Sequence, residues 1–154
     1  MVVDLEDFYP EGERIIFDVK DWLYEGFVLR EKDFRQFVKD YNWSSHKNQF
    51  VVLTCSTEAI IPAWAYLLLT IELQPYAKKT ITGDLEALET SIYQDIINNL
   101  DVEPYKDKPL IIKGCAHKPV PSNAYIMLSS KLKPVAKSIM YGEACSSVPL
   151  YKRK

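Results

Sequence analysis

The sequence predicts an α/β domain with a mainly parallel sheet. It is built from two similar strand–helix–strand units joined by a helix, with an N-terminal strand and helix layer packed on them. The first observation behind this is a repeat: residues 50–84 recur at 110–143, matching Cys55 with Cys115, Pro62 with Pro121, Tyr66 with Tyr125, Leu69 with Leu128, Leu73 with Leu132, Pro75 with Pro134 and Gly83 with Gly142. The copies align with one residue dropped between the cysteine and the first proline, and roughly two identities would arise by chance at background frequencies. The second observation is that each copy reads as a short apolar run, a stretch with helical spacing, and a short second run. That order favours parallel strands joined by a right-handed crossover. The third is the alternation of strand and helix patterns along the chain, which marks a parallel sheet.

The elements follow in order. Residues 1–12 read as an extended lead-in closed by the turn signal Pro10-Glu11-Gly12. Residues 14–20 (RIIFDVK) form a strand, and 27–30 a second short one. Residues 31–41 are helical, with Phe34, Phe37, Val38 and Tyr41 at the i, i+3, i+4, i+7 spacing of one face. Residues 42–48 form a polar loop in which His46 is a solvated residue. Residues 50–54 are continuously apolar, as expected of a strand covered on both faces. Residues 62–73 form a helix: proline suits its first turn, and Gln74 before Pro75 is pushed out of the helical region. Residues 79–82 form a strand, and Asp84 caps a helix over 85–99. After a loop at 101–108, the second copy supplies a strand at 110–113, a helix at 122–133 and a strand at 137–141. Residues 142–154 read as irregular.

The whole chain, 1–154, is expected as a single domain, since 154 residues can bury a sizeable core without staples. A net charge of −2 argues against non-specific nucleic-acid binding, which needs a basic footprint. No apolar run reaches a membrane span and no signal peptide opens the chain. With an odd number of cysteines, this predicts free or metal-bound thiols in the cytoplasm. The first repeat helix is apolar nearly all round. Trp64, Leu67, Leu68 and Ile71 lie off its core stripe, so they are covered by the N-terminal elements or form an interface, with a homodimer as one possibility.

The cysteines are the candidate site. Cys55 and Cys115 each close an apolar run where the chain turns toward a helix, and Cys145 follows the last strand. Ligands bind at that carboxyl edge in open α/β sheets. Three thiols on one edge, with His117 as a possible fourth donor, suit zinc; three thiolates also suit an iron–sulfur cluster with one open position. The bland alternative is that free cysteines are small buried hydrophobes. Phosphate-loop, zincin and nucleophile-elbow signatures are absent.

The runs VKDWLYEGFVLREKDF, LTCSTEAIIPAWAY, IIKGC and KPVAKSIMYGEACSSVPLYK resemble a bacterial family of proteins of unknown function, domain of unknown function 2480, over nearly the whole chain. The resemblance implies a genomic neighbourhood of iron–sulfur cluster assembly genes, and hence assembly proteins as partners. It includes the cysteines of LTCS, IIKGC and GEACS, here Cys55, Cys115 and Cys145, but not a histidine at 117. It also implies a short further N-terminal segment in relatives. The leading expectation is an accessory protein in iron–sulfur cluster or metal handling. A thiol or persulfide sulfur-transfer enzyme is the first alternative, and a dimeric interaction module with inert buried cysteines is the second.

Overall fold

The structure is a computed structural model that describes residues 1–114, 117–143 and 146–154. Its elements are β1 (Val2–Val3), β2 (Arg14–Asp18), α1 (Glu31–Asp40), β3 (Phe50–Thr54), α2 (Ala63–Leu73), β4 (Lys79–Thr82), α3 (Leu85–Asn98), β5 (Pro109–Ile112), α4 (Ser122–Leu132), β6 (Ser138–Tyr141) and β7 (Val148–Lys152). The class is α/β, as expected, and every strand pair but β6–β7 is parallel. The strands form two sheets, ordered β2-β3-β4 and β1-β5-β6-β7. Each sheet belongs to one of two compact units: a continuous unit, Glu11–Leu88, and a split unit that joins Met1–Pro10 to Glu89–Lys154.

In the continuous unit, β3 is central and its residues Phe50 to Leu53 are buried, which is why the run is apolar without alternation. Pro62 stands at the N-cap of α2 in an extended conformation. The stripe Ala65, Leu69, Leu73 is fully buried, because positions four apart share a helix face. Asp84 accepts from Ala87 N at 2.8 Å, the cap expected at the start of α3. The strand expected at 27–30 does not form. Glu25 (φ 51°) and Gly26 (φ 77°) reverse the chain, leaving one bridge between Tyr24 and Val28. Gly12 holds φ 139°, and a Cβ there would lie 2.7 Å from the ring of buried Phe50. Gly12→Ala is therefore expected to cost about 1–3 kcal/mol in chemical unfolding through backbone strain and overpacking; an unchanged midpoint would contradict this.

The split unit repeats the plan. β5-α4-β6 matches β3-α2-β4, and each equivalent position is the first plus 59: Phe50 pairs with Lys79, and Pro109 with Ser138. The flanking loops keep the same shift. Lys78 N donates to Gln49 O at 2.8 Å and Lys137 N to Lys108 O at 2.9 Å. Asn48 and Asp107 both take positive φ (64° and 60°), as do Gly83 and Gly142.

The equivalence extends beyond the repeat visible in sequence. Phe17 pairs with Leu53 and Val3 with Ile112, so β1 is the counterpart of β2. Asp18 and Asp4 each cap the short 3-10 turn that follows their strand. Fully buried Phe34 of α1 answers to fully buried Tyr93 of α3. Each unit is thus strand, 3-10 turn, helix, 3-10 turn, strand, helix, strand, and the continuous unit is inserted in the split unit after its first strand and turn. β1 lies in the stretch expected as a lead-in, and β7, antiparallel to β6, lies in the tail expected as irregular.

The shift of 59 needs no dropped residue, which corrects the alignment read from sequence. The counterpart of Cys55 is Gly114, not Cys115. The two sites differ in volume: a Cβ at Gly114 would lie 2.9 Å from the Tyr141 ring, whereas the continuous unit carries Thr82 at the position of Tyr141.

Candidate functional site

The carboxyl edge of the continuous unit gathers several polar groups. Cys55 directly follows β3 and is partly buried, with its thiol free. Its Sγ lies 3.3 Å from Thr57 Oγ1, which donates to Gly26 O at 2.7 Å. Beside it, Asp18 Oδ1 accepts from Lys20 N at 3.0 Å and Ser56 N at 3.2 Å, tying the end of β2 to the turn after β3. Burial acts to raise the pKa of Asp18. The hydrogen bonds from Ser56 and Lys20, with the Lys20 charge, outweigh it and hold the carboxyl below its ordinary value. Tyr66 on α2 is raised, first by burial and then by the Cys55 and Asp18 charges.

The same edge of the split unit is built differently. Asp4 Oδ2 lies 3.5 Å from Lys113 Nζ. Lys113 is held above its ordinary pKa, chiefly by the Asp4 charge and hydrogen bond. Glu6 Oε1 accepts from His117 N at 2.6 Å and Lys118 N at 2.8 Å, so a carboxylate of the chain occupies the two adjacent N–H groups ahead of α4. Tyr125 and Tyr141 meet edge to face at 6.0 Å, and Gly142 N donates to Ile112 O at 2.9 Å, linking the ends of β6 and β5.

The candidate ligands divide accordingly. The strand before Cys55 belongs to the three-stranded sheet. The strands before Cys115 and Cys145 belong to the four-stranded one. The single edge expected for all three is replaced by the edges of two sheets. Cys115 and Cys145 themselves lie outside the described residues. His117 is exposed. Among the described residues, no group of three or more His, Cys, Asp and Glu side chains could hold a metal ion. No helix among them is long and apolar enough to cross a membrane.

The expected interface set also divides. Trp64 and Leu68 pack against the core of the continuous unit, whereas Leu67 and Ile71 are 62% and 68% exposed. Four residues apart, the latter pair shares one face of α2.

Sequence reasoning missed a further cluster. His46, expected in solvent, is buried. Its Nδ1 lies 2.8 Å from Gln49 Oε1 and its Nε2 lies 2.5 Å from Tyr41 Oη, while Gln49 Nε2 donates to Glu13 Oε2 at 3.0 Å. The Glu13 carboxylate can only accept, so it turns the Gln49 amide N–H toward itself and its oxygen toward His46. Neutral His46 then carries its proton on Nδ1 and accepts the Tyr41 hydroxyl at Nε2. Phe17 sits among Trp22, Tyr41, Trp43 and His46, with ring centroids 5.2–6.0 Å away. The available signal was Trp43, a large apolar residue in an otherwise polar loop; it is buried and donates Nε1–H to Val38 O at 2.9 Å.

Fold and edges together define an α/β protein of two equivalent parallel-sheet units, one inserted in the other, with a thiol at the carboxyl edge of the continuous unit. The chain belongs to the family described as "Protein of unknown function (DUF2480)", which it matches over residues 1–153. No curated protein and no solved structure matches it.

Proposed function

We propose that the chain is an accessory protein in iron–sulfur cluster or metal handling, with Cys55, Cys115 and Cys145 as the thiols that carry the cargo. The observation that supports this reading is positional. Every cysteine in the sequence falls within four residues after the last residue of a parallel strand (Thr54, Ile112 or Tyr141), and none lies elsewhere. That edge is where α/β sheets present ligands. Thiolates suit zinc or a cluster, and Cys55, partly exposed with a hydroxyl beside its sulfur, fits a soft-metal donor. His117 would serve as a further donor. Iron–sulfur assembly proteins are the partners this reading calls for, and the cytoplasm is the compartment that keeps its thiols reduced. Anaerobic purification should yield protein with bound iron or zinc, and replacing all three cysteines by serine should remove it. Metal retained by the triple variant, or absent from the parent, would overturn the proposal.

A second reading is sulfur transfer through Cys55. It draws on the strand before Cys55, β3, belonging to a different sheet from the strands before the other two cysteines. The Cys55 thiolate would take the outer sulfur of a donor persulfide, forming a Cys55 persulfide and releasing the donor thiolate. Alkylation at near-neutral pH with mass spectrometry should then label Cys55 first; equal, slow labelling of all three cysteines would count against it. A third reading, an interaction module that forms a homodimer through α2, draws on the exposed Leu67 and Ile71. Sedimentation that shows only monomer at high concentration would exclude it.

A further inference from the structure

A cavity of about 200 Å³ opens along β2 in the continuous unit, at the outer strand of its three-stranded sheet. Its walls include Phe17, Trp22, Tyr41 and His46, with Asp18 and Asp21 among its polar groups. Among the described residues no lysine or arginine lines it; Lys20 approaches Asp18 Oδ2 at 3.9 Å without joining the lining. The aromatic walls are held in place. Tyr41 stacks on His46 at an interplanar angle of 15° and bonds to it, and Trp22 stacks on Phe37 at 24°. Aromatic side chains beside carboxylates are the chemistry that receives an organic ammonium or guanidinium.

The split unit provides an internal control. At equivalent positions it keeps both carboxylates, as Asp4 and Asp7. It has Val3, Phe8, Leu100 and Tyr105 where the continuous unit has Phe17, Trp22, Tyr41 and His46. The fold therefore forms without the indole and the imidazole, and with a leucine in place of Tyr41. In that copy the chain supplies its own ammonium: Lys113 Nζ lies 3.5 Å from Asp4 Oδ2. The continuous unit has Thr54 at that position, which brings no charge. The split copy thus pairs its first carboxylate with a lysine at 3.5 Å, whereas in the continuous copy Lys20 stands 3.9 Å from Asp18 and Asp21 is exposed beside the aromatic walls.

We propose that this cavity binds the ammonium or guanidinium head of a small organic cation, with Asp21 and Asp18 meeting its charge and Trp22 and Tyr41 its faces. The volume is small for a whole drug-sized ligand and suits a head group. Among the described residues no cysteine lines the cavity, so serine at all three cysteines should leave butylammonium binding unchanged.

The test is an NMR titration of the full-length chain with n-butylammonium chloride, following the Trp22 indole N–H and the His46 ring, with 1-butanol as the uncharged isostere at equal ionic strength. Saturable shifts at both residues are expected, with 1-butanol weaker by roughly tenfold or more. Asp21 is exposed, so Asp21→Asn should fold normally and weaken butylammonium by roughly tenfold. Trp22→Phe, which copies the split unit, should also weaken it. Asp7→Asn, the equivalent change in the split unit, should leave it unchanged. Linear, non-saturating shifts, equal binding of 1-butanol, or an unaffected Asp21→Asn variant would each overturn the proposal.

Discussion

Phe34→Ala is expected to destabilise the continuous unit by about 3–5 kcal/mol. Phe34 is fully buried on α1 and meets Trp22 at 5.7 Å and Trp64 at 5.9 Å, both edge to face. Truncation removes the transfer energy of a phenyl ring and opens a cavity between two indoles. Both indoles pack against the buried core of the continuous unit, which limits how far the walls can collapse into the space. Edge-to-face pairs add about 0.5–1.5 kcal/mol beyond area. Urea unfolding followed by tryptophan fluorescence measures the loss directly. A change under about 1 kcal/mol would mean that the cluster repacks and that its geometry is not what holds α1.

Leu69→Ala and Leu128→Ala should each cost about 2–5 kcal/mol, and by similar amounts. The two leucines are fully buried and sit at the same point of α2 and α4, related by the shift of 59. Equivalent backbone positions, both fully buried, predict similar cavities, so the pair tests the equivalence of the units energetically. Leu67→Ala is the control: on the exposed face of α2 it should fall within about 0.5 kcal/mol of the parent. A large loss at one buried leucine and a small one at the other would show that one copy relaxes where the other does not.

The half of each unit that reads clearly in sequence is the half with regular pattern. β3-α2-β4 and β5-α4-β6 were legible because buried strands are continuously apolar, helices show spaced leucines, and prolines mark helix ends. The other half was hidden for physical reasons. Val2-Val3 is too short to show a period, and what makes it a strand is its pairing with Ile111 and Ile112, far along the chain. Phe34 and Tyr93 share a burial requirement, which many apolar side chains satisfy, so no identity survives to signal the match. β7 contains Pro149, and its pairing with β6 shifts register between Ile139 and Met140, so it lacks clean alternation.

The candidate site was legible as a list of cysteines but not as an arrangement. Identity alone drew Cys55 onto Cys115. The backbone register sets Cys55 against Gly114, because the alternating pleat allows no one-residue slip within a buried strand. His46 was misread for the opposite reason: its polar neighbours suggested solvent, while its partners Tyr41, Gln49 and Glu13 come together only in the fold.

X-ray absorption at the metal edge of anaerobically purified protein tests the thiol reading most directly. The account predicts a sulfur shell at about 2.3 Å, the thiolate distance for zinc, which diminishes as cysteines are replaced by serine. A first shell of oxygen and nitrogen alone, or a spectrum unchanged in the triple cysteine variant, would contradict it.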